Sequence, residues 1–206
     1  MDFFKGQDKQ VEETLEYLSD KYDGQKFVYE SSEYLHGKLL VYCYPDGGKY
    51  KTDRVRVRRE TVDGKVEYLD TYFNIVIRED VEAEAEAICA DLGLKVKAFF
   101  SADDSYIDNQ FDSSKTYADY MKWDLEDGDI DCTRLYNLVI ATDDFADREL
   151  KADEIIKGIE AKNIRCEAYV NFCTNEQFEN YHRENLEELK DIEPENRLFR
   201  VTGQEE

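Results

Sequence analysis

The chain has 206 residues, with 49 Asp and Glu against 27 Lys and Arg, a net charge of -22. Such a surface repels phosphates and has no counterion release to gain from them, so nucleic acid and anionic membrane are excluded as partners. No run of about 18 apolar residues occurs, which excludes a membrane-spanning helix. The acid is uneven: residues 101–206 carry 28 acids and 12 bases, residues 1–100 carry 21 and 15. Hydrophobic residues at 41% and aromatics at 13% are far above the level of a disordered acidic chain, so the charge reads as a solvated shell around a folded core.

Residues 10–22 predict a helix, with Val11, Leu15, Leu18 and Tyr22 at helical spacing and Asp23-Gly24 to end it. Strands follow over 26–34 and 39–44, and Pro45-Asp46-Gly47-Gly48 supplies turn chemistry. Residues 54–61 and 65–78 predict a second hairpin around Val62-Asp63-Gly64. A three-residue loop there pairs Thr61 with Lys65, Val57 with Leu69, and Arg56 with Asp70. On that register Arg54, Arg56 and Arg58 share a face with Tyr68, Asp70 and Tyr72, which neutralise and stack on them.

A helix over 79–92 capped by Gly93 and a strand over 94–101 come next. Ser113 reads as the N-cap of a helix through Trp123. A strand over 134–141, a helix over 147–162, a strand over 164–173, a helix over 175–190 and a short strand over 198–202 complete the chain. Asn74-Ile75-Val76-Ile77 and Asn137-Leu138-Val139-Ile140 each open a strand-helix-strand order, a short internal repeat. The fold class expected is α+β: an N-terminal helix and antiparallel meander, then two β-α-β-like units. Residues 1–101 form the helix-plus-sheet region and 102–206 the acidic α/β region, with no Ser/Gly/Pro linker between them, in one compact body.

The sharpest chemical motif is Asp127-Gly128-Asp129-Ile130-Asp131. Carboxylates at i, i+2 and i+4 suit a hard cation such as Ca²⁺. An EF-hand is excluded, because Cys132 stands at the invariant glycine position and Leu138 at the bidentate glutamate position. Asp103/Asp104/Asp108 and Asp143/Asp144/Asp147 are lesser acidic clusters, with Asp143 or Asp144 placed to cap the following helix. The two histidines, His36 and His182, sit in no nucleophile motif, and no phosphate-binding glycine loop occurs. Cys43, Cys89, Cys132, Cys166 and Cys173 form no CxxC pair and read as small buried hydrophobes.

The segment Tyr17-Leu18-Ser19-Asp20-Lys21-Tyr22-Asp23-Gly24-Gln25-Lys26-Phe27 resembles the opening of the mature region of uncharacterised exported lipoproteins from Gram-positive gut bacteria. There a helix ending in Lys-Tyr-Gly leads into a Phe-containing strand; here Asp23 precedes Gly24. The resemblance carries no catalytic residue. It implies a cell-surface location and a lipid-anchor cysteine upstream of residue 1. Five cysteines suit an extracellular site less easily, which keeps a cytoplasmic one open.

The function expected is that of a non-enzymatic binding or surface module of the bacterial cell envelope. It recognises a basic protein or a carbohydrate through a Tyr-rich, acid-bordered face. The alternatives are a divalent-cation-dependent protein using Asp127, Asp129 and Asp131, and an acidic DNA mimic that occupies the basic groove of a DNA-binding protein.

Overall fold

The computed structural model describes residues 2–101, 107, 109–126 and 134–202. The chain gathers into two units, Met1–Ile77 with Asp103–Tyr120, and Arg78–Ala102 with Met121–Glu206. The fold is α+β, with one four-stranded sheet in each unit.

In the first unit, α1 (Asp2–Lys21) precedes an antiparallel meander of β1 (Phe27–Leu35), β2 (Lys38–Pro45), β3 (Val55–Val62) and β4 (Lys65–Asp70), in that spatial order. Both tight hairpins turn on two residues with positive φ. His36 and Gly37 lie at 50° and 80°, Asp63 and Gly64 at 52° and 79°. Two consecutive left-handed residues give the mirror-image turn whose twist matches that of paired strands, and glycine takes its second position without strain. The β1–β2 turn is therefore His36-Gly37, and Pro45-Asp46-Gly47-Gly48 instead opens the longer connection to β3.

The two-residue loop corrects the expected register by one. Val62 pairs with Lys65, Arg59 with Tyr68, Arg58 with Leu69, and Val57 with Asp70. A one-residue slip exchanges the faces of a strand. Asp70 thus joins Val55 and Val57 on the inner face and leaves the arginine stripe. Across that face runs α1, touching it every three to four residues. Gln10 accepts from Tyr34, Glu13 pairs with Arg59, Tyr17 stacks on Tyr68 at 4.4 Å, and Lys21 and Tyr22 reach Asp70. Leu18 of α1 is buried, as are Leu39, Val41, Cys43, Val55 and Val57 of the sheet.

The residues 74–77, expected as strand, are helical and lie in α2 (Tyr72–Asp91). Asp70 explains the early start: its Oδ1 accepts from the Tyr72 N–H at 3.0 Å, a side-chain cap that a strand through this point would forbid. Phe73 then packs with Phe111 and Tyr120, ring centres 5.1 and 6.4 Å away. Thr116 and Asp119 form a reciprocal cap at the start of α3 (Tyr117–Glu126). Thr116 N donates to Asp119 Oδ2 at 2.8 Å, and Asp119 N to Thr116 Oγ1 at 3.3 Å. That role was expected of Ser113.

The second unit holds a mixed sheet in the order β5 (Lys95–Ser101), β6 (Arg134–Ala141), β7 (Cys166–Cys173) and β8 (Arg197–Val201). β6 and β7 are parallel, joined through α4 (Arg148–Glu160), whereas β5 and β8 run antiparallel to their neighbours. Of the two expected strand-helix-strand units, the one opened by Asn137-Leu138-Val139-Ile140 occurs, as β6-α4-β7 within one sheet. The one opened by Asn74-Ile75-Val76-Ile77 does not: those residues are helical, and the strands on either side of α2, β4 and β5, lie in different sheets. Ala152, Ile155, Ile156 and Ile159 of α4 are buried, as are Tyr136, Leu138 and Ile140 of β6 and Ala168, Val170 and Phe172 of β7. β5 is an edge, and two of its backbone N–H groups are satisfied by helix side chains. Ala98 N donates to Glu86 Oε1 at 3.0 Å and Phe100 N to Glu82 Oε1 at 2.8 Å. Those carboxylates occupy the groups that another strand would otherwise pair with.

The helix expected over 175–190 is broken. One turn, α5 (Asn175–Phe178), is capped by Thr174 and Gln177, and a 3₁₀ segment follows over Arg183–Asp191. Asn185 has non-helical angles within that segment, and its side chain bonds Asn180 O and Glu188. Asparagine competes for backbone groups in this way and breaks helical continuity. The result is a short irregular cover that shields only part of the sheet.

Candidate functional site

In β7, alternation sends Cys166, Ala168, Val170 and Phe172 to one face and Glu167, Tyr169, Asn171 and Cys173 to the other. The second face changes character along its length. At the Cys173 end it is a closed apolar cluster of Phe99, Val139, Cys173, Phe178, Tyr181, Leu189 and Ile192. Toward Glu167 the face is open, with Tyr169 45% and Phe199 47% exposed.

A pocket of about 260 Å³ lies at the boundary, lined by Asn137, Tyr169, Asn171, Leu189, Arg197 and Phe199. Strand register builds it in two rows. Asn137 pairs with Tyr169 and Tyr169 with Phe199; two residues along β7, Asn171 pairs with Arg197. At about 3.4 Å per residue the rows stand about 7 Å apart. The Tyr169 and Phe199 rings are 5.1 Å apart and tilted by 49°, so together they present a bent aromatic surface.

Asn171 is the polar anchor. It is 2% exposed, and its Nδ2 donates to Leu138 O at 3.2 Å and to Tyr169 O at 3.0 Å. Both amide hydrogens are thus committed to the backbone, which fixes the side chain. Among the described residues none donates to its Oδ1, which leaves a positioned acceptor at the pocket floor. Aromatic faces, a fixed acceptor, a second amide at Asn137 and a guanidinium at Arg197 suit a ligand with one apolar face and several hydroxyls. None of these five was expected as a site residue from the sequence, where Asn137 figured only in the repeat motif. The available signal was an asparagine flanked by apolar residues in each of two adjacent strands, Asn137 and Asn171.

The expected metal ligands Asp127, Asp129 and Asp131 lie outside the described residues, as do Asp103, Asp104 and Asp108. Among the described residues no three His, Cys, Asp or Glu side chains gather to hold a metal ion. Asp143 accepts from Asn175 Nδ2 at 2.7 Å and Asp144 from Ala146 N at 3.0 Å, so both hold turns. Asp147 stands at the start of α4 without a side-chain capping bond. His36 sits in a hairpin turn, and His182 donates its backbone N–H to Asn185.

The arginine stripe has different partners from those expected. Arg54 stacks on Tyr42 at 4.0 Å and pairs with Glu30 at 2.7 Å, and Arg58 pairs with Glu60 at 3.1 Å. Tyr42 and Tyr44 donate to Glu33 and Glu30. Tyr68 instead takes Arg59 and Tyr17, and Tyr72 packs against Tyr22 and Phe27. On the stripe itself, Arg54 and Arg58 are thus each paired with a carboxylate.

Cys43, Cys89 and Cys166 are buried with thiols pushed up to about 12, and Cys173 to about 11, in each case chiefly by burial. Protonated, enclosed thiols are poor nucleophiles and poor ligands. The chain matches no protein-family model, no curated protein and no solved structure.

Proposed function

We propose that this protein is a non-enzymatic binding module that takes a saccharide in the pocket of the second sheet. The carrying observation is the placement of the exposed Tyr169–Phe199 pair beside Asn171, whose amide is locked and whose Oδ1 remains open. A sugar ring offers an apolar face to aromatic side chains and hydroxyls to amides and carbonyl oxygens, and those are the two chemistries in the pocket. Glu167, exposed on the same face two residues from Tyr169, borders the aromatic surface with acid. A cell-envelope location belongs to the same reading and is supported by the resemblance of residues 17–27 to exported lipoproteins.

The test is ligand-observed and protein-observed NMR of the full chain with a panel of neutral and acidic oligosaccharides. Binding is expected to shift resonances of Tyr169, Asn171 and Phe199, and Tyr169→Ala is expected to weaken it at least tenfold. Binding that leaves these residues unshifted, or survives Tyr169→Ala intact, counts against the pocket. Fractionation of cells expressing the whole gene tests location: recovery in the cytosol alone refutes the envelope reading.

A further inference from the structure

The saccharide reading leaves open what Arg197 is for. In so acidic a chain a guanidinium rarely stays single. Arg54, Arg58, Arg59, Arg183 and Arg200 each pair with a carboxylate, and Arg148 donates to Glu195 O and Phe145 O. Arg200 shows the contrast best. Three residues along the same strand, it takes Asp153 at 2.6 Å and also Glu149. Arg197 is exposed and lines the pocket; its backbone N–H donates to Pro194 O, but its guanidinium, among the described residues, makes no hydrogen bond, ion pair or ring contact. Its cross-strand partner is the fixed Asn171.

We infer that the pocket selects a saccharide bearing a carboxylate, a hexuronic acid unit, with Arg197 receiving the carboxylate and Tyr169 and Phe199 the ring. This rests on the saccharide reading and adds a charge requirement to it. A guanidinium presents parallel N–H donors that match a carboxylate in a way no neutral hydroxyl can. The aromatic row and the Asn171–Arg197 row stand about 7 Å apart, the breadth of one pyranose ring with its carboxylate. A volume of about 260 Å³ accommodates one such unit rather than a long chain. The surrounding acid serves selection as well. It opposes polyanions and leaves Arg197 as a local positive point that a single carboxylate can occupy.

The experiment titrates the full chain with the methyl glycosides of glucuronic, galacturonic and mannuronic acids, and with those of glucose, galactose and mannose, at low and at physiological salt. At least one acid is expected to bind tenfold or more tightly than its neutral counterpart, with the gap narrowing as salt rises. Arg197→Gln, at an exposed edge position, is expected to fold normally and bring the acid down to the affinity of the neutral sugar. Tyr169→Ala is expected to weaken both. Equal binding of acid and neutral sugar, or a preference unchanged in Arg197→Gln, overturns the carboxylate assignment and leaves the saccharide reading standing. If none of the six binds, both fall.

Discussion

Replacing Asp70 by asparagine keeps the side chain's shape and removes its charge. Asp70 is 1% exposed and accepts from Lys21 Nζ at 2.7 Å, Tyr22 Oη at 2.8 Å and Tyr72 N at 3.0 Å, with Tyr17 Oη at 3.3 Å. The Lys21 side chain is 8% exposed, so its ammonium cannot turn to water when the carboxylate goes. Breaking a buried pair in this way costs about 3–5 kcal/mol, because the remaining charge stays desolvated. At an m of about 2 kcal/mol/M, the urea midpoint of the full chain, followed by circular dichroism, should fall by roughly 1.5–2.5 M at unchanged m. Lys21→Met in the same series should couple: the double variant should lose about 1.5–3 kcal/mol less than the two single losses together. A three-residue hairpin loop would have put Asp70 on the solvent face beside Arg56, where its loss costs about 0–1 kcal/mol. A midpoint shift below about 0.5 M, or strict additivity, would therefore refute both the buried network and the register that creates it.

The buried thiols predict slow chemistry. Cys43, Cys89, Cys166 and Cys173 should resist iodoacetamide in the native state at about pH 8 and react on denaturation; rapid labelling of any of the four would contradict their burial. Burial first, then the Asp70 carboxylate, raises the phenols of Tyr17 and Tyr22 well above their ordinary value. A raised acid adds stability that is whole below the unfolded pKa near 10 and is lost as pH climbs beyond it. Absorbance at 295 nm should thus show two tyrosines that ionise only with unfolding, and full ionisation of a chain still folded would count against this. Gly158 of α4 has no room for a methyl group, since a Cβ there would lie 2.7 Å from Cγ2 of buried Ile88. Gly158→Ala should lose about 1–2 kcal/mol despite the helix propensity of alanine, and the Ile88→Ala background should reduce the loss; a raised melting temperature would refute it.

Periodicity made the helices α1 and α4 and most strands readable, because one face of each is buried and repeats at the right interval. The errors have local causes. The two-residue hairpin was hidden because Val62-Asp63-Gly64 suits a three-residue loop equally well, and only the strand twist chooses between them. Asn74-Ile75-Val76-Ile77 has strand composition, but the capping carboxylate of Asp70 and the packing of Phe73 decide for helix, an override that propensity cannot show. The pocket was unreadable for a different reason. Its residues come from β6, β7, β8 and the 3₁₀ segment, so their meeting depends on a parallel pairing and an edge strand that no spacing in the sequence encodes. Arg197 became conspicuous only once the carboxylate partners of Arg54, Arg58, Arg59, Arg183 and Arg200 were in view.

Stability and binding should come apart in the pocket. Tyr169 and Phe199 remain nearly half exposed, and β8 is an edge strand paired only to β7. Truncating Phe199 to alanine removes one cross-strand aromatic contact, worth about 0.5–1.5 kcal/mol, and no enclosed volume. Val170, fully buried beside them on the other face of β7, should cost about 2–3 kcal/mol or more on the same change, because its cavity cannot fill. If the aromatic pair were there to hold β8, Phe199→Ala would approach the cost of Val170→Ala and its effect on sugar affinity would be small. The saccharide reading demands the reverse: a urea midpoint changed by less than about 0.7 M in Phe199→Ala, with affinity lowered at least tenfold. Measuring both quantities on both variants decides between an aromatic pair that staples an edge strand and one that receives a ligand.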